Sequence, residues 1–111
     1  MSTVEVESLA DSWKDEWTDQ LCRAFLSLKT VDEMYCFLED VATIGEICAL
    51  AQRLEVARLL NEGCTYPEIA RQTTEGKKKV STATISRVKK FLEYGADGYK
   101  IVLDRLKKTE E

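Results

Sequence analysis

Apolar residues recur every three or four positions along most of the chain, which is the spacing of amphipathic helix faces. The first such stretch predicts a helix that starts near Asp11 or Ser12. Its apolar face is formed by Trp13, Trp17, Leu21, Phe25 and Leu28. The chain has one Pro and five Gly and is rich in Leu, Ala, Glu and Lys. We therefore expect an all-α fold of six helices of unequal length.

Three segments of the form Thr-x-x-Glu mark the starts of further helices, at Thr30, Thr43 and Thr65. In this capping box the Thr hydroxyl accepts from the amide three residues on, and the carboxylate accepts from the cap amide. We predict a short helix after Thr30 and a long helix from Ile44 to about Asn61. Gly63 can end the long helix in a left-handed conformation.

A break at residues 94–98 precedes the last predicted helix, which runs from Tyr99 to Lys108. We expect residues 1–11 to form an acidic arm, residues 12–106 to form one helical domain and residues 107–111 to form a solvated tail. The inward positions predicted for the long and last helices are Ile47, Leu50, Ala51, Leu54, Ala57, Leu59 or Leu60, and Ile101, Val102, Leu103 or Leu106.

Residues 65–93 have the pattern of a helix-turn-helix. Pro67 falls in the first turn of the first helix, where its missing N–H costs little, and Ser81 or Thr82 can cap the second helix. The predicted inward residues of the pair are Ile69, Ala70, Ile85, Val88 and Leu92. Small polar residues at the start of a second helix are typical of a helix that enters the major groove of DNA.

The charge of this segment favours binding to phosphate. From Arg71 to Lys90 there are seven basic residues and one acidic residue, so the local charge is +6, whereas the whole chain carries −4. Phosphate binding responds to the local field. The candidate DNA-binding residues are Thr65, Tyr66, Lys77, Lys78, Lys79, Ser81, Thr82, Thr84, Arg87, Lys89 and Lys90.

These candidates divide into two roles. Thr82 and Thr84, at the start of the second helix, would approach base edges, where the Thr methyl group suits thymine. The basic residues and the Thr65 end of the first helix would contact phosphate, with Arg87 also able to reach guanine. The alternative is a solvated lysine loop beside an ordinary packed helix pair.

The connection between the two predicted helices, residues 74–80, is longer than the usual turn of three or four residues. Insertion into an exposed loop has a small entropic cost. Its three lysines, Lys77 to Lys79, favour a basic finger that adds phosphate contacts. The alternative is a loop that displaces the helix pair and weakens its docking on DNA.

Several classes of protein are disfavoured by the composition. The chain has no His, and Cys22, Cys36, Cys48 and Cys64 are widely spaced, so we expect buried free thiols and no metal site. No apolar run reaches the ~18 residues of a membrane span, and no signal peptide is evident. Without a Gly-rich phosphate loop, or a nucleophile beside a base, we expect neither an enzyme nor a bound cofactor.

The aromatic residues of the chain favour a dimer. A chain of 111 residues has little room to bury Trp13, Trp17, Phe25, Tyr35, Phe37 and Tyr99. We expect the first two helices and the last helix to build the core of a homodimer, with packing inside one chain as the alternative. A two-fold dimer would place its two copies of the 81–92 helix about one DNA turn apart, ~34 Å.

Motifs along the chain, in order, resemble the YerC/YecD-type Trp-repressor-related proteins of bacteria. They cover about residues 17–106 and lie in the segments Leu26–Thr30, Leu38–Asp40, Thr43–Ala57, Thr65–Ala70, Ser81–Val88 and Tyr94–Tyr99. The resemblance implies a Trp repressor-like fold, which is an intertwined homodimer with a helix-turn-helix in each subunit. It further implies a regulator of transcription that binds double-stranded DNA and acts as a repressor. Such a regulator would lie in the bacterial cytoplasm and associate with the nucleoid when it is bound to DNA.

The resemblance also raises the question of a small-molecule co-repressor. Arg53 and Arg87 match the two arginines that sandwich tryptophan in Trp repressor. Phe91 stands where the repressor has a serine that helps to hold the amino group of the ligand, which argues against tryptophan here. The alternatives are a surface ion pair for Arg53 with Glu46 or near Glu55, and a phosphate contact for Arg87. The rival to DNA binding is a helical dimer that binds a protein partner or an effector without specific DNA recognition.

Overall fold

The structure is a computed structural model that describes residues 11–74 and 79–110, and these residues form helices and connections without a strand. The six helices are α1 (Glu16–Ser27), α2 (Val31–Val41), α3 (Ile44–Asn61), α4 (Tyr66–Thr74), α5 (Thr82–Tyr94) and α6 (Gly98–Glu110). The predicted all-α fold is confirmed. The predicted acidic arm before Asp11 lies outside the described residues.

Helix α1 begins later than the apolar pattern predicts. Asp15 is its N-cap, and its carboxylate accepts from the amide of Thr18 at 2.9 Å while the Thr18 hydroxyl accepts from the amide of Asp15 at 2.8 Å. This reciprocal pair starts the helix at Glu16, so the expected start near Asp11 or Ser12 is wrong. Trp13 therefore precedes the helix instead of lying on its apolar face.

The starts of α2 and α3 follow the predicted positions. The hydroxyl of Thr30 accepts from the amide of Glu33 at 3.1 Å, as a capping residue does. The Glu33 carboxylate accepts from the amide of Lys29 at 2.8 Å, one residue before the cap. Helix α3 begins at Ile44, directly after the predicted cap Thr43.

The end of α3 is fixed by Gly63, which has the predicted left-handed backbone with φ of +91°. The amide of Gly63 donates to the carbonyl of Leu60, and the amide of Cys64 donates to the carbonyl of Leu59, both at 3.0 Å. This is the Schellman pair of hydrogen bonds, which satisfies carbonyls that lack a helical partner. The chain then turns sharply from α3 into α4.

The chain divides into two compact units, residues 1–43 and 44–111. The first unit contains α1 and α2, and neither helix has a buried side chain. Phe25 and Phe37 meet edge to face within it, with 5.4 Å between their ring centroids. Most of its other large apolar side chains are exposed, and Trp17 and Leu26 reach 83% and 85% exposure.

The second unit contains α3 to α6 and encloses the buried core of the described residues. That core consists of Val56, Ala57, Leu59, Ile69, Val80, Ile85, Val88 and Leu103. Six of these residues were predicted to face inward, with Leu59 and Leu103 each named as one of two alternatives, whereas Val56 and Val80 were not singled out. Leu50, Ile101, Val102 and Leu106 were predicted to face inward, but each is more than two-fifths exposed in the single chain.

The junction of α5 and α6 depends on two special residues. A Cβ atom on Gly95 would collide with the backbone carbonyl of Phe91, so the backbone at the C-terminal end of α5 requires glycine at this position. Asp97 has a positive φ of 66°, and its carbonyl accepts from the amide of Ile101 at the start of α6. Helix α6 then extends to Glu110, two residues beyond its predicted end at Lys108.

Candidate nucleic-acid interface

The first helix of the candidate interface, α4, is fixed at its start by the predicted capping box. The amide of Thr65 donates to the Glu68 carboxylate at 2.9 Å, and the amide of Glu68 donates to the Thr65 hydroxyl at 3.3 Å. A hydrogen bond from the backbone of Thr65, followed by one from its side chain, lowers the pKa of Glu68. The carboxylate thus stays charged at the positive end of the helix dipole.

The second helix, α5, begins at the predicted cap Ser81. The Ser81 hydroxyl accepts from the amide of Thr84 at 3.1 Å and also lies 3.0 Å from the Thr84 hydroxyl. The side chain of Thr84 is half-buried, whereas those of Ser81 and Thr82 are exposed. Thr84 therefore takes part in the cap, while Thr82 faces solvent.

The two helices share a fully apolar inner face. Ile69 of α4 and Ile85 and Val88 of α5 are at most 2% exposed, as their spacing predicted. The remaining surface of α5 is polar and basic, because its exposed residues up to Lys90 are Thr82, Ala83, Ser86, Arg87, Lys89 and Lys90. Burial of one face by the core thus leaves the other face of α5 open to a ligand.

Most of the predicted DNA-binding residues lie on the surfaces of these two helices. Thr65 is exposed and Tyr66 is half-buried at the start of α4, while Lys79 is exposed just before α5. The ammonium group of Lys89 lies 5.6 Å from the centroid of the Tyr66 ring. Lys77 and Lys78 lie outside the described residues, and so does the middle of the predicted basic finger.

A cleft of about 570 Å³ opens within the second unit, and both arginines of the predicted ligand site line it. Its lining residues are Arg53, Leu54, Arg87, Phe91, Ala96, Gly98, Tyr99 and Val102. The Arg87 guanidinium lies 5.5 Å from the centroid of the Phe91 ring, so the two side chains stack along α5. The phenyl group thereby takes up one wall of the cleft.

The ion pair that the sequence suggested for Arg53 near Glu55 belongs to a neighbouring arginine. Arg58 donates to both carboxylate oxygens of Glu55 at 2.8 Å and to Glu62 at 2.6 Å. The hydrogen bond from Arg58, followed by its charge, lowers the pKa of Glu55. The same contacts, led by the hydrogen bond to Glu55, raise the pKa of Arg58.

Two exposed residues on α5, Ala83 and Ser86, were not among the predicted DNA contacts. Both lie on the open face of the helix, between Thr82 and Lys90. Ser86 could have been predicted from helical periodicity, because it lies four residues after Thr82 and therefore on the same face of the helix. Thr84 was predicted to approach the bases in place of Ser86, but the hydroxyl of Thr84 is hydrogen-bonded to the cap residue Ser81.

Within residues 11–74 and 79–110, no helix is long and apolar enough to cross a membrane. In the same part of the chain, His, Cys, Asp and Glu side chains form no group of three or more that could hold a metal ion. All four cysteines are free thiols, but Cys22 and Cys36 are exposed and Cys48 and Cys64 half-buried. The expectation that the thiols are buried is therefore wrong.

The sequence of the chain is similar to proteins of a known family. The family of the Trp repressor protein matches residues 15–107. The chain is 52% identical over 100 residues to the uncharacterised YerC protein of Bacillus subtilis strain 168, and the match covers 90% of this chain and 91% of YerC.

Solved structures give the same result for the fold. A TrpR-like protein from Eubacterium eligens is 51% identical, with a TM-score of 0.78 over 86% of this chain and 94% of that one. A candidate Trp repressor from Staphylococcus aureus is 38% identical, with a TM-score of 0.80 over 91% of this chain and 96% of that one. The chain therefore belongs to the Trp repressor family and is related to its YerC-type proteins.

Proposed function

We propose that this protein is a homodimeric, sequence-specific DNA-binding regulator that represses transcription through α4 and α5 in the bacterial cytoplasm. The observation that carries the proposal is the division of α5 into two faces. Ile85 and Val88 are buried in the core, whereas the opposite face carries hydroxyl and basic side chains. Membership of the Trp repressor family supports the same function, because this family consists of regulators.

The start of α5 is assigned to base recognition. Thr82 and Ser86 are exposed on consecutive turns, where their hydroxyl groups can donate to or accept from base edges in the major groove. Ala83 lies beside them and can pack against a thymine methyl group. Thr84 has a supporting role, because its hydroxyl bonds to the cap residue Ser81.

The cations around this surface are assigned to the DNA backbone. Lys79 and Lys90 are exposed on either side of the base-reading positions, and Arg87 lies between them on α5. The start of α4 contributes its helix dipole, which favours a phosphate near Thr65. Lys77 and Lys78 add to the local charge of +6 that the sequence places between Arg71 and Lys90.

A second copy of the chain is proposed to cover the exposed apolar surface. Trp17, Leu26 and Tyr35 of the first unit are exposed by 83%, 85% and 62% in the single chain. In the second unit, Leu50 and the α6 residues Ile101, Val102 and Leu106 are exposed as well. Exposed apolar area of this kind marks an interface in a stable protein, and a two-fold dimer would pair two α5 helices with two DNA half-sites.

The first experiment is a selection of binding sites from a random duplex library, followed by binding measurements at several salt concentrations. We expect affinity for random DNA to fall steeply with salt, by about 0.9 log units per log unit of salt for each phosphate contact. A selected site should bind about 1,000-fold more tightly than random DNA or better. Absence of binding to either duplex at low salt would refute the proposed function and favour a protein partner.

Replacement of Thr82 by Ala tests the assignment of base recognition. The variant should lose about fivefold or more in affinity for the selected site, with little change for random DNA, because one base contact is removed. Thr109→Ala, the same substitution on α6, is the matched control and should change neither affinity. Equal losses on both duplexes would show that Thr82 does not read bases.

The cleft between Arg53 and Arg87 makes a small-molecule effector the second candidate function. Two guanidinium groups and the rings of Phe91 and Tyr99 line it, which suits a planar anion. Because Phe91 forms one wall of the cleft, we expect tryptophan to leave the melting temperature unchanged. A screen of amino acids and metabolites by thermal shift tests the candidate, and a flat result over the whole set would exclude it.

A further inference from the structure

The side chains of Tyr66 and Lys89 connect the two helices of the candidate interface outside their buried face. Tyr66 lies at the start of α4 and packs partly against the core. Lys89 is exposed on α5, and its ammonium group lies 5.6 Å from the centroid of the Tyr66 ring. A cation within about 6 Å of the face of an aromatic ring is attracted by the quadrupole of that ring.

The connection between the two helices is longer than the usual turn of a helix-turn-helix. Helix α4 ends at Thr74 and α5 begins at Thr82, so seven residues, 75–81, join them. The usual helix-turn-helix connection has three or four residues, and a connection that short sets the angle between its helices by itself. In this chain, the contacts of α4 and α5 with each other and with neighbouring helices contribute to that constraint.

The buried contacts between α4 and α5 supply only part of it. Ile69, Ile85 and Val88 hold the helices together by burial of apolar area. Apolar burial is non-directional, and α5 also packs against α3 and α6. The pair of Lys89 and Tyr66 adds a directional contact between α4 and α5 away from the core.

We propose that Tyr66 and Lys89 form a brace that fixes the angle between α4 and α5. Both are then positioning residues for the base-reading start of α5, and the inference rests on the proposed DNA-binding function. From the sequence, Lys89 was predicted to bind phosphate, together with Lys90. The brace instead commits the ammonium group of Lys89 to the protein and leaves Lys90 as the phosphate contact.

The adjacent lysines of α5 provide a matched pair of variants. Lys89→Met and Lys90→Met remove the same charge from neighbouring exposed positions of one helix. We expect Lys90→Met to weaken binding to selected and random DNA equally and to reduce the salt slope by about 0.9. Lys89→Met should leave the salt slope unchanged and lower the ratio of selected to random affinity about fivefold or more, because α5 is misaligned with the bases.

Conservative substitutions separate positioning from loss of charge. Lys89→Arg retains a cation for the ring, and Tyr66→Phe retains the ring without its hydroxyl group, so both should keep the wild-type affinity ratio. Tyr66→Leu should lower the ratio as Lys89→Met does. Identical behaviour of Lys89→Met and Lys90→Met, or an unchanged ratio in Tyr66→Leu, would overturn the proposal.

A measurement without DNA distinguishes failure of the brace from failure of the proposed function. A double-mutant cycle of Tyr66→Leu and Lys89→Met is measured by urea unfolding of the full chain. We expect the two sites to be coupled by about two- to fivefold in the equilibrium constant of unfolding. Additive effects would overturn the brace even if DNA binding is specific, whereas coupling without any DNA binding would refute only the proposed function.

Discussion

The two units of the chain differ in what they bury. Helices α3 to α6 surround eight buried apolar side chains, whereas α1 and α2 contain none within the described residues. Both units have amphipathic helices with well-formed starts, so local structure does not explain the difference. Within the described residues, the apolar faces of the first unit remain largely exposed in the single chain. The second unit is therefore stabilised from within, whereas the exposed apolar faces of the first unit are the surface that the proposed dimer would cover.

The largest effect is expected from a cavity in the core of the second unit. Ile85→Ala removes a side chain that is 1% exposed and should lower the free energy of unfolding by about 2–5 kcal/mol. Thr82→Ala, three residues earlier on the exposed face of α5, is the control and should change it by less than about 0.5 kcal/mol. Chemical denaturation followed by circular dichroism measures both. Similar losses in the two variants would show that the core does not lie where the structure has it.

A charge on the apolar face of α1 should break the dimer without unfolding the chain. Trp17 is 83% exposed in the single chain, so Trp17→Glu should be tolerated there, but a carboxylate buried between subunits is strongly destabilising. We expect light scattering to give the mass of one chain for this variant and of two chains for the wild type.

Arg23→Gln serves as the control for Trp17→Glu. It makes the same change in net charge on the same helix, and it removes only an exposed ion pair with Asp19. This variant should remain dimeric. A monomeric wild type, or a Trp17→Glu variant with the mass of two chains, would contradict the assignment of α1 to the interface.

The smallest effect is expected from an ion pair on the surface of the second unit. Arg58 lowers the pKa of Glu55, so this carboxylate contributes stability above its unfolded-state pKa and loses it as the pH falls through its folded-state pKa. Glu55→Gln should therefore be less stable than wild type at neutral pH, by less than about 1 kcal/mol because the pair is half exposed. The difference should vanish under acidic conditions.

Unfolding curves of the two proteins at neutral and acidic pH test this prediction. Glu93→Gln, at an exposed carboxylate of α5, is the control, and it should change the free energy of unfolding by less than about 0.5 kcal/mol. A gap between wild type and Glu55→Gln that persists at acidic pH would show that the ion pair is not its cause.

The starts and ends of helices were predictable where one or two residues determine them. The starts of α4 and α5 were predicted from Thr65 with Glu68 and from Ser81, because these residues act through their own hydrogen bonds. The end of α3 was predicted from Gly63, which acts through its own backbone angle. The start of α1 was missed because its box has the form Asp-x-x-Thr, with Asp15 and Thr18 in place of threonine and glutamate. The same hydrogen bonds can thus be encoded by another pair of residues.

The burial of particular side chains was less predictable. Periodicity placed Leu50, Val102 and Leu106 on inward faces, but it does not say whether the covering surface belongs to the same chain. The candidate site shows a related limit. Thr82 and Thr84 are the same residue type two positions apart, so the sequence does not distinguish them. The structure does, because the hydroxyl of Thr84 is hydrogen-bonded to the cap residue Ser81, whereas the side chain of Thr82 is exposed.

Because α4 and α5 each carry their own start signal, the length of the segment between them is free to vary among related chains. The hydrogen bonds between Thr65 and Glu68 begin α4 and the hydrogen bond between Ser81 and Thr84 begins α5, and these bonds join residues on either side of the segment 75–78. Extra residues can therefore be acquired there, or a reporter grafted there, without a shift in the register of either helix. Evolution can alter the charge and reach of this segment while the recognition surface is inherited intact.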